Sequence, residues 1–273
     1  MTNPLKQYFR RPAIYVKLPS QGKFYSKDAI EMTETGELPV FPMTAIDEVT
    51  SKTPDALFNG TAMVDIIKSC IPNIKDPWQI PSIDIDPIMI AIRSATSGND
   101  MDIDSTCSNC NTTSNYKINL VGLLNNIEAG DYDQEFSVNE LTIKYKPLKY
   151  KTINESTMRQ FEIQMQINKI SEMTDENEKL KQSGELMKKL NLSSFKLVSE
   201  NIDQIKINDQ VVNNKDYIHE FLTNTDKNTF DKIRTNGVNL RKKSEIKPVH
   251  IKCANCGHEY DQVLALNISD FFG

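Results

Sequence analysis

The chain has 273 residues, 25% of them charged and 38% hydrophobic, with a formal net charge of -5. That length supports one large or two small domains with a sizeable core, and the acidic balance argues against nucleic acid as the main partner. No apolar run approaches membrane-spanning length, and residues 1–12 carry charges without an apolar stretch, which argues against a signal peptide.

Ile14, Val16 and Leu18 alternate with other residues, a strand signal. Pro19, Ser20, Gln21 and Gly22 read as a turn, after which Phe24 and Tyr25 resume extended structure. Residues 36–43 are a second extended piece, with prolines marking an edge or a strand end. Thr44 is a candidate N-cap with Asp47 completing a variant capping box. Pro54 interrupts the helical pattern, and a short helical turn then runs to Gly60. Met63, Ile66, Ile67 and Cys70 form one helix face, on which Cys70 reads as a buried small hydrophobe rather than a nucleophile. Residues 72–81 read as a loop with Trp78 as a core anchor, and residues 88–97 as a helix closed near Gly98. Asp100, Asp102 and Asp104 lack the central glycine and distal glutamate of a calcium loop and read as a solvated acidic turn.

Beyond residue 115 the text is β-rich: residues 116–120 alternate, and residues 134–138 and 141–145 form a hairpin about Asn139-Glu140. The period then becomes helical. Thr152 to Glu155 is a capping box ahead of an apolar stripe at Met158, Phe161 and Met165, with Ile163, Ile167 and Ile170 widening the face, so that the helix is expected to pack on two sides. A second, charge-rich helix covers about residues 175–190, and a third starts near Ser193. The methionines on these faces read as core filler. Residues 205–212 form a small hairpin. Asn214 caps a helix carrying Tyr217, Ile218, Phe221 and Leu222, and another helix runs from Thr225 to a stop at Asn236-Gly237. Arg241-Lys242-Lys243 reads as solvated. Residues 249–251 and 263–266 read as strands flanking a turn. Phe271 and Phe272 would be wasteful if exposed, so they pack back or dock in a partner.

Four of the five cysteines stand in two knuckles, Cys107-Ser108-Asn109-Cys110 and Cys253-Ala254-Asn255-Cys256. Thiolates presented from two tight turns make a tetrahedral soft-ligand cage that suits zinc. The same ligands serve a rubredoxin-like iron site, so the sequence leaves iron open. The long separation of the knuckles leaves free thiol pairs and disulfides as alternatives. Disulfides are disfavoured because nothing looks secretory, and neither knuckle has the strand-to-helix setting of a redox pair. Four thiolates leave no position for water, so the expected metal is structural rather than catalytic. His258 reads as a spare ligand or, more simply, a solvated neighbour.

The expected fold is α+β: a small β-rich, zinc-ribbon-like module with a long helical insertion between its two knuckles. Its segments are an N-terminal extended segment (1–43), a helical segment (44–100), the first knuckle with a β-hairpin (101–150), the helical insertion (151–240), and the second knuckle with a C-terminal tail (241–273). No phosphate loop, Gly-x-Ser-x-Gly or His-Glu-x-x-His motif occurs, and His219, His250 and His258 stand in unrelated contexts, so no enzyme is expected.

The runs Val16-Lys17-Leu18-Pro19-Ser20-Gln21-Gly22-Lys23-Phe24-Tyr25 and Val40-Phe41-Pro42-Met43-Thr44-Ala45-Ile46-Asp47-Glu48 resemble the N-terminal signature of the baseplate hub family of T-even-type tailed bacteriophages. Cys253-x-x-Cys256-Gly257-His258 and the terminal Phe271-Phe272 resemble that family too. The resemblance implies a structural or assembly component of a contractile-tail baseplate hub. It would be assembled in the host cytoplasm and placed in the virion tail baseplate, with other phage tail proteins as partners. Zinc at Cys107, Cys110, Cys253 and Cys256 would stabilise it, and Phe271 and Phe272 are candidate partner-binding residues. No membrane contact is expected, and oligomerisation within the assembly is left open. One alternative is a non-virion chaperone for hub or tape-measure proteins. Another is a zinc-ribbon nucleic-acid binder, against which the Asp and Asn residues around the first knuckle weigh.

Overall fold

A computed structural model describes residues 3–171, 173–208 and 210–264. The chain mixes helix and sheet and divides into two compact units, one of Met1–Ala129 with Ser244–Gly273 and one of Gly130–Lys243.

In the first unit, β1 (Ile14–Lys17) and β2 (Glu37–Val40) pair antiparallel, Ile14 opposite Val40 and Lys17 opposite Glu37. Val16, Leu18, Leu38 and Val40 are buried, as alternation along a half-buried strand requires. The connection curls tightly, with Gln21, Gly22 and Phe24 at positive φ (53°, 79° and 69°), so the extended continuation expected at Phe24 does not form. The cause is a polar anchor: the Ser20 N–H (2.9 Å), the Ser20 hydroxyl and the Tyr25 hydroxyl (3.1 Å) all donate to the buried Asp84 carboxylate. Drawing both ends of this short segment onto one carboxylate leaves no room for an extended run.

α1 (Ala45–Ser51) starts with the expected capping box: Asp47 N–H donates to Thr44 Oγ1 at 3.2 Å, and Thr44 N–H donates to Asp47 Oδ2 at 2.7 Å. α2 (Pro54–Phe58) follows, and Gly60 in the left-handed region turns the chain into α3 (Thr61–Cys70). The α3 face at Met63, Ile66, Ile67 and Cys70 is buried. Arg10 draws these elements together, donating to the Pro42 carbonyl (2.6 Å), the Ser69 carbonyl (2.7 Å) and the Ser69 hydroxyl (2.7 Å), and pairing with Asp47 at 3.4 Å. Cys70 is fully buried, and burial pushes its thiol up to about 12, in keeping with a packing role. Trp78 is half-buried beside α3.

α4 (Ser82–Ser97) begins ahead of the expected start at Ile88, with Pro87 inside it. Ile83, Asp84, Pro87, Ile88, Ile90 and Ile92 are all buried; that burial outweighs the missing Pro87 N–H. β3 (Asp100–Thr106) and β4 (Thr113–Asn119) form a hairpin in register from Asp100 opposite Asn119 to Thr106 opposite Thr113. Asp100, Asp102 and Asp104 therefore lie on the exposed face of a strand rather than in a turn. α5 (Leu120–Asn125) closes the segment, its Gly122 N–H capped by Asn119 at 2.7 Å.

The second unit is built on one antiparallel sheet in the order of β5 (Glu135–Val138), β6 (Leu141–Tyr145), β7 (Ile202–Ile207) and β8 (Gln210–Val212). Asn139 and Asn208 take the positive φ (55° and 51°) that the two hairpin turns demand. Between β6 and β7 the chain makes a helical hairpin, α6 (Tyr150–Ser171) and α7 (Glu176–Asn201). α6 starts ahead of Thr152, which lies within it. α7 is one helix where two were expected, because no Gly or Pro stands near Asn191 to end it. The helices meet through Ile163, Ile170 and Leu186, with Ile167, Met173 and Leu190 packed alongside. Of the two sides expected to pack, the Ile163 and Ile170 side does, while Phe161 is 48% exposed and Met165 45%.

α8 (Lys215–Asn224) and α9 (Lys227–Lys243) complete this unit. α9 runs through Gly237 rather than stopping there. A Cβ at that position would lie 2.3 Å from Asn201 Oδ1 and 3.3 Å from the Tyr145 ring, so the glycine serves close packing. Arg241, Lys242 and Lys243 form the last turn, where cations favour the helix dipole. A Cβ on Gly130 would lie 2.6 Å from the Leu240 carbonyl, so this unit starts and ends at nearly one place.

The chain then returns to the first unit as β9 (Val249–Lys252) and β10 (Glu259–Gln262), paired antiparallel with Lys252 opposite Glu259. The second strand precedes the expected 263–266; Val263 and Leu264 follow it, and Phe271 and Phe272 lie outside the described residues.

Candidate metal centre

Each knuckle sits at the turn of a hairpin, and the two turns have the same backbone. In the first, Cys107 N–H donates to the Thr112 carbonyl (3.0 Å) and Asn111 N–H to the Cys107 carbonyl (2.9 Å). In the second, Cys253 N–H donates to the His258 carbonyl (2.8 Å) and Gly257 N–H to the Cys253 carbonyl (2.9 Å). The equivalent residues Asn111 and Gly257 both take positive φ, 55° and 73°, a conformation that Gly and Asn tolerate best. These turns free the neighbouring amides to face sulfur: Cys107 Sγ accepts from the Cys110 and Asn109 N–H groups, Cys110 Sγ from Thr112, and Cys256 Sγ from His258.

The hairpins are joined beyond the turns. The Ser105 hydroxyl lies 2.9 Å from the Tyr260 hydroxyl and donates to Gln262 Oε1 at 2.6 Å. With the strands held so, the four cysteines converge, and their sulfurs all lie within 4.8 Å of one another. Cys107 and Cys256 are 3.7 Å apart, as are Cys110 and Cys253. A disulfide would need about 2.05 Å. A tetrahedron with zinc–sulfur bonds of about 2.3 Å has edges of about 3.8 Å, which these distances match. The donor set therefore fits a four-coordinate thiophilic ion.

The electrostatics support the same reading. The Cys110 thiol is lowered to about 5, first by the Thr112 side chain and then by the Thr112 backbone and the Asn255 amide. Cys256 is lowered by the His258 N–H and the Asn109 amide. Burial raises Cys107 to about 11. A lowered thiol favours the thiolate form that a metal binds, and a raised one would need a metal's charge to reach it. His258 is exposed, with Nε2 3.5 Å from the Ser108 hydroxyl and its ring stacked on Tyr260; it is not among the four clustered ligands.

A family model described as T4 bacteriophage base plate protein matches residues 12–273. The chain belongs to that family. Neither a curated protein nor a solved structure matches it. As a baseplate protein it has other phage tail proteins for partners and the virion tail for its place. No helix among the described residues is long and apolar enough to cross a membrane. The residues that suggested the family from sequence do structural work in this baseplate protein: Ser20 and Tyr25 hold Asp84, and Thr44 and Asp47 cap α1. The sequence reading missed Asn109, Asn255 and Thr112 as sulfur donors. The signal was present, since both knuckles read Cys-x-Asn-Cys.

Proposed function

We propose that this baseplate protein is a structural or assembly component of the baseplate hub, stabilised by zinc at Cys107, Cys110, Cys253 and Cys256. The observation that carries this reading is the convergence of two distant knuckles on one four-thiol cage in a chain of the baseplate family. Bound zinc would supply a fixed cross-link with no open coordination position, so the centre is read as structural and the protein as non-catalytic. The two hairpins that carry the cysteines are read as a zinc-ribbon-like module interrupted by the second unit. Phe271 and Phe272 are proposed to contact a partner in the tail.

Two measurements test the reading. Elemental analysis of the purified protein should find about one zinc per chain, as one four-thiolate cage requires. Loss of the metal in the purified native protein would overturn the zinc assignment, and a red, iron-containing preparation would reassign the metal. Mass spectrometry of gradient-purified particles should find the chain at a stoichiometry comparable to other tail proteins. Absence from particles with abundance in the infected-cell lysate would replace the structural reading by that of a departing chaperone.

A further inference from the structure

The two asparagines inside the knuckles are crossed. Asn109 Nδ2 in the first knuckle donates to Cys256 Sγ in the second at 3.7 Å. Asn255 Nδ2 in the second donates to Cys110 Sγ in the first, also at 3.7 Å, and to Thr112 Oγ1 at 3.2 Å. The exchange follows an approximate two-fold relation that also pairs Cys107 with Cys256 and Cys110 with Cys253. Both amides go to the last cysteine of the opposite knuckle. Those cysteines are the less protected of each pair: Cys110 is half-buried and Cys256 exposed, whereas Cys107 and Cys253 are buried.

Surface asparagines more often serve their own turn. Asn119 and Asn214 do so here, accepting from N–H groups two or three residues ahead. Asn109 and Asn255 instead reach across to sulfur on a segment remote in sequence, and they do it twice with the same geometry. The outer thiolates are where water, protons and electrophiles have access. An amide N–H aimed at such a sulfur satisfies a lone pair, lessens its nucleophilicity and fixes its direction; partners of this kind commonly govern metal affinity.

We propose that Asn109 and Asn255 are a reciprocal pair of positioning residues. Each holds and shields the outer thiolate of the opposite knuckle, and together they lock the knuckles as one metal-binding unit. This rests on the four-thiolate metal reading above.

The test uses the full chain and Co²⁺ as the probe. Wild type is titrated first; absence of sulfur-to-cobalt charge-transfer bands would overturn the metal reading itself. With those bands present, Asn109→Ala and Asn255→Ala should each weaken Co²⁺ binding about 10-fold, the lower end for such partners. Their charge-transfer bands should move to lower energy, because the sulfur lone pairs lose a hydrogen bond. The isosteric Asn109→Asp, which keeps the shape and sets a carboxylate against the thiolate, should weaken binding further. The deciding readout is iodoacetamide labelling of the Co²⁺-loaded proteins, in which a thiolate displaces iodide, mapped by mass spectrometry. Asn109→Ala should speed labelling at Cys256, and Asn255→Ala at Cys110. Wild-type affinity, bands and labelling in both alanine variants would overturn the proposal, as would faster labelling only within the mutated knuckle. If an alanine variant fails to fold, Asn109→Asp carries the same comparison at Cys256.

Discussion

Asp84 shows how one residue ties a surface signature to the core. It is fully buried, and among the described residues its charge is met by hydrogen bonds from Ser20 and Tyr25. Burial raises its carboxyl to about 6, against those hydrogen bonds, which lower it. The folded state therefore holds this proton more tightly than the unfolded chain. The associated stability is fully present below the unfolded value of about 4 and is lost as pH rises through about 6. Over that window wild type should lose about 3 kcal/mol relative to Asp84→Asn, at 1.36 kcal/mol per unit. Urea unfolding of both proteins at pH 4, 5, 6 and 7 checks this, since acid-driven loss of metal is common to the two and cancels. An unchanged difference across the series would show that the carboxylate stays ionised throughout. At the proposed metal centre, Cys107→Ser and Cys253→Ser should each reduce metal content and lower the melting temperature together, because either leaves three thiolates. A loss confined to one of them would mean that the knuckles do not share an ion.

At the scale of elements, the helical hairpin separates what a sequence tells from what only packing decides. α6 carries two apolar stripes, one through Met158, Phe161 and Met165 and one through Ile163, Ile167 and Ile170. Periodicity reports both equally, and the partner, Leu186 and Leu190 of α7, chooses the second. Ile163→Ala should therefore cost about 2–4 kcal/mol in chemical denaturation, as for other buried truncations, while Met165→Ala should change stability by less than about 1 kcal/mol. The opposite ranking would show that the first stripe is the one that packs. Gly237 makes a similar point. A glycine near the end of a helical pattern reads as a stop, yet here it lets α9 pass against Tyr145 and Asn201. Gly237→Ala improves helix propensity by about 1 kcal/mol but should still destabilise by about 1–3 kcal/mol through overpacking, measured by the same denaturation. The Thr44 capping box, the hairpin turn at Asn139 and each Cys-x-x-Cys knuckle were legible because each depends on residues close in sequence. The Asp84 anchor, the continuity of α7 and the crossed asparagines were not, because each depends on a contact that only the folded chain supplies.

For the whole molecule, the decisive feature is that the first unit is discontinuous and the second is not. All five cysteines belong to the first unit, and the residues that bring Cys107 and Cys110 to Cys253 and Cys256 come from both of its chain segments. The second unit begins and ends at nearly one place, with Gly130 against Leu240, a geometry under which an inserted domain leaves its host's two parts free to meet. The small hairpins of the first unit, β3 with β4 and β9 with β10, are two-stranded, and isolated pairs of that kind are marginal in water. A metal joining their turns, as proposed above, would supply the closure they lack. Stripping the ion from the full chain with a strong chelator should therefore act unevenly. Amide hydrogen exchange should accelerate by at least about 10-fold in β3, β4, β9 and β10, corresponding to about 1.4 kcal/mol of lost local protection. The amides of α6 to α9 should keep their rates. Uniform acceleration across both units would mean that they unfold as one cooperative body, and no acceleration anywhere would mean that the hairpins stand without the ion.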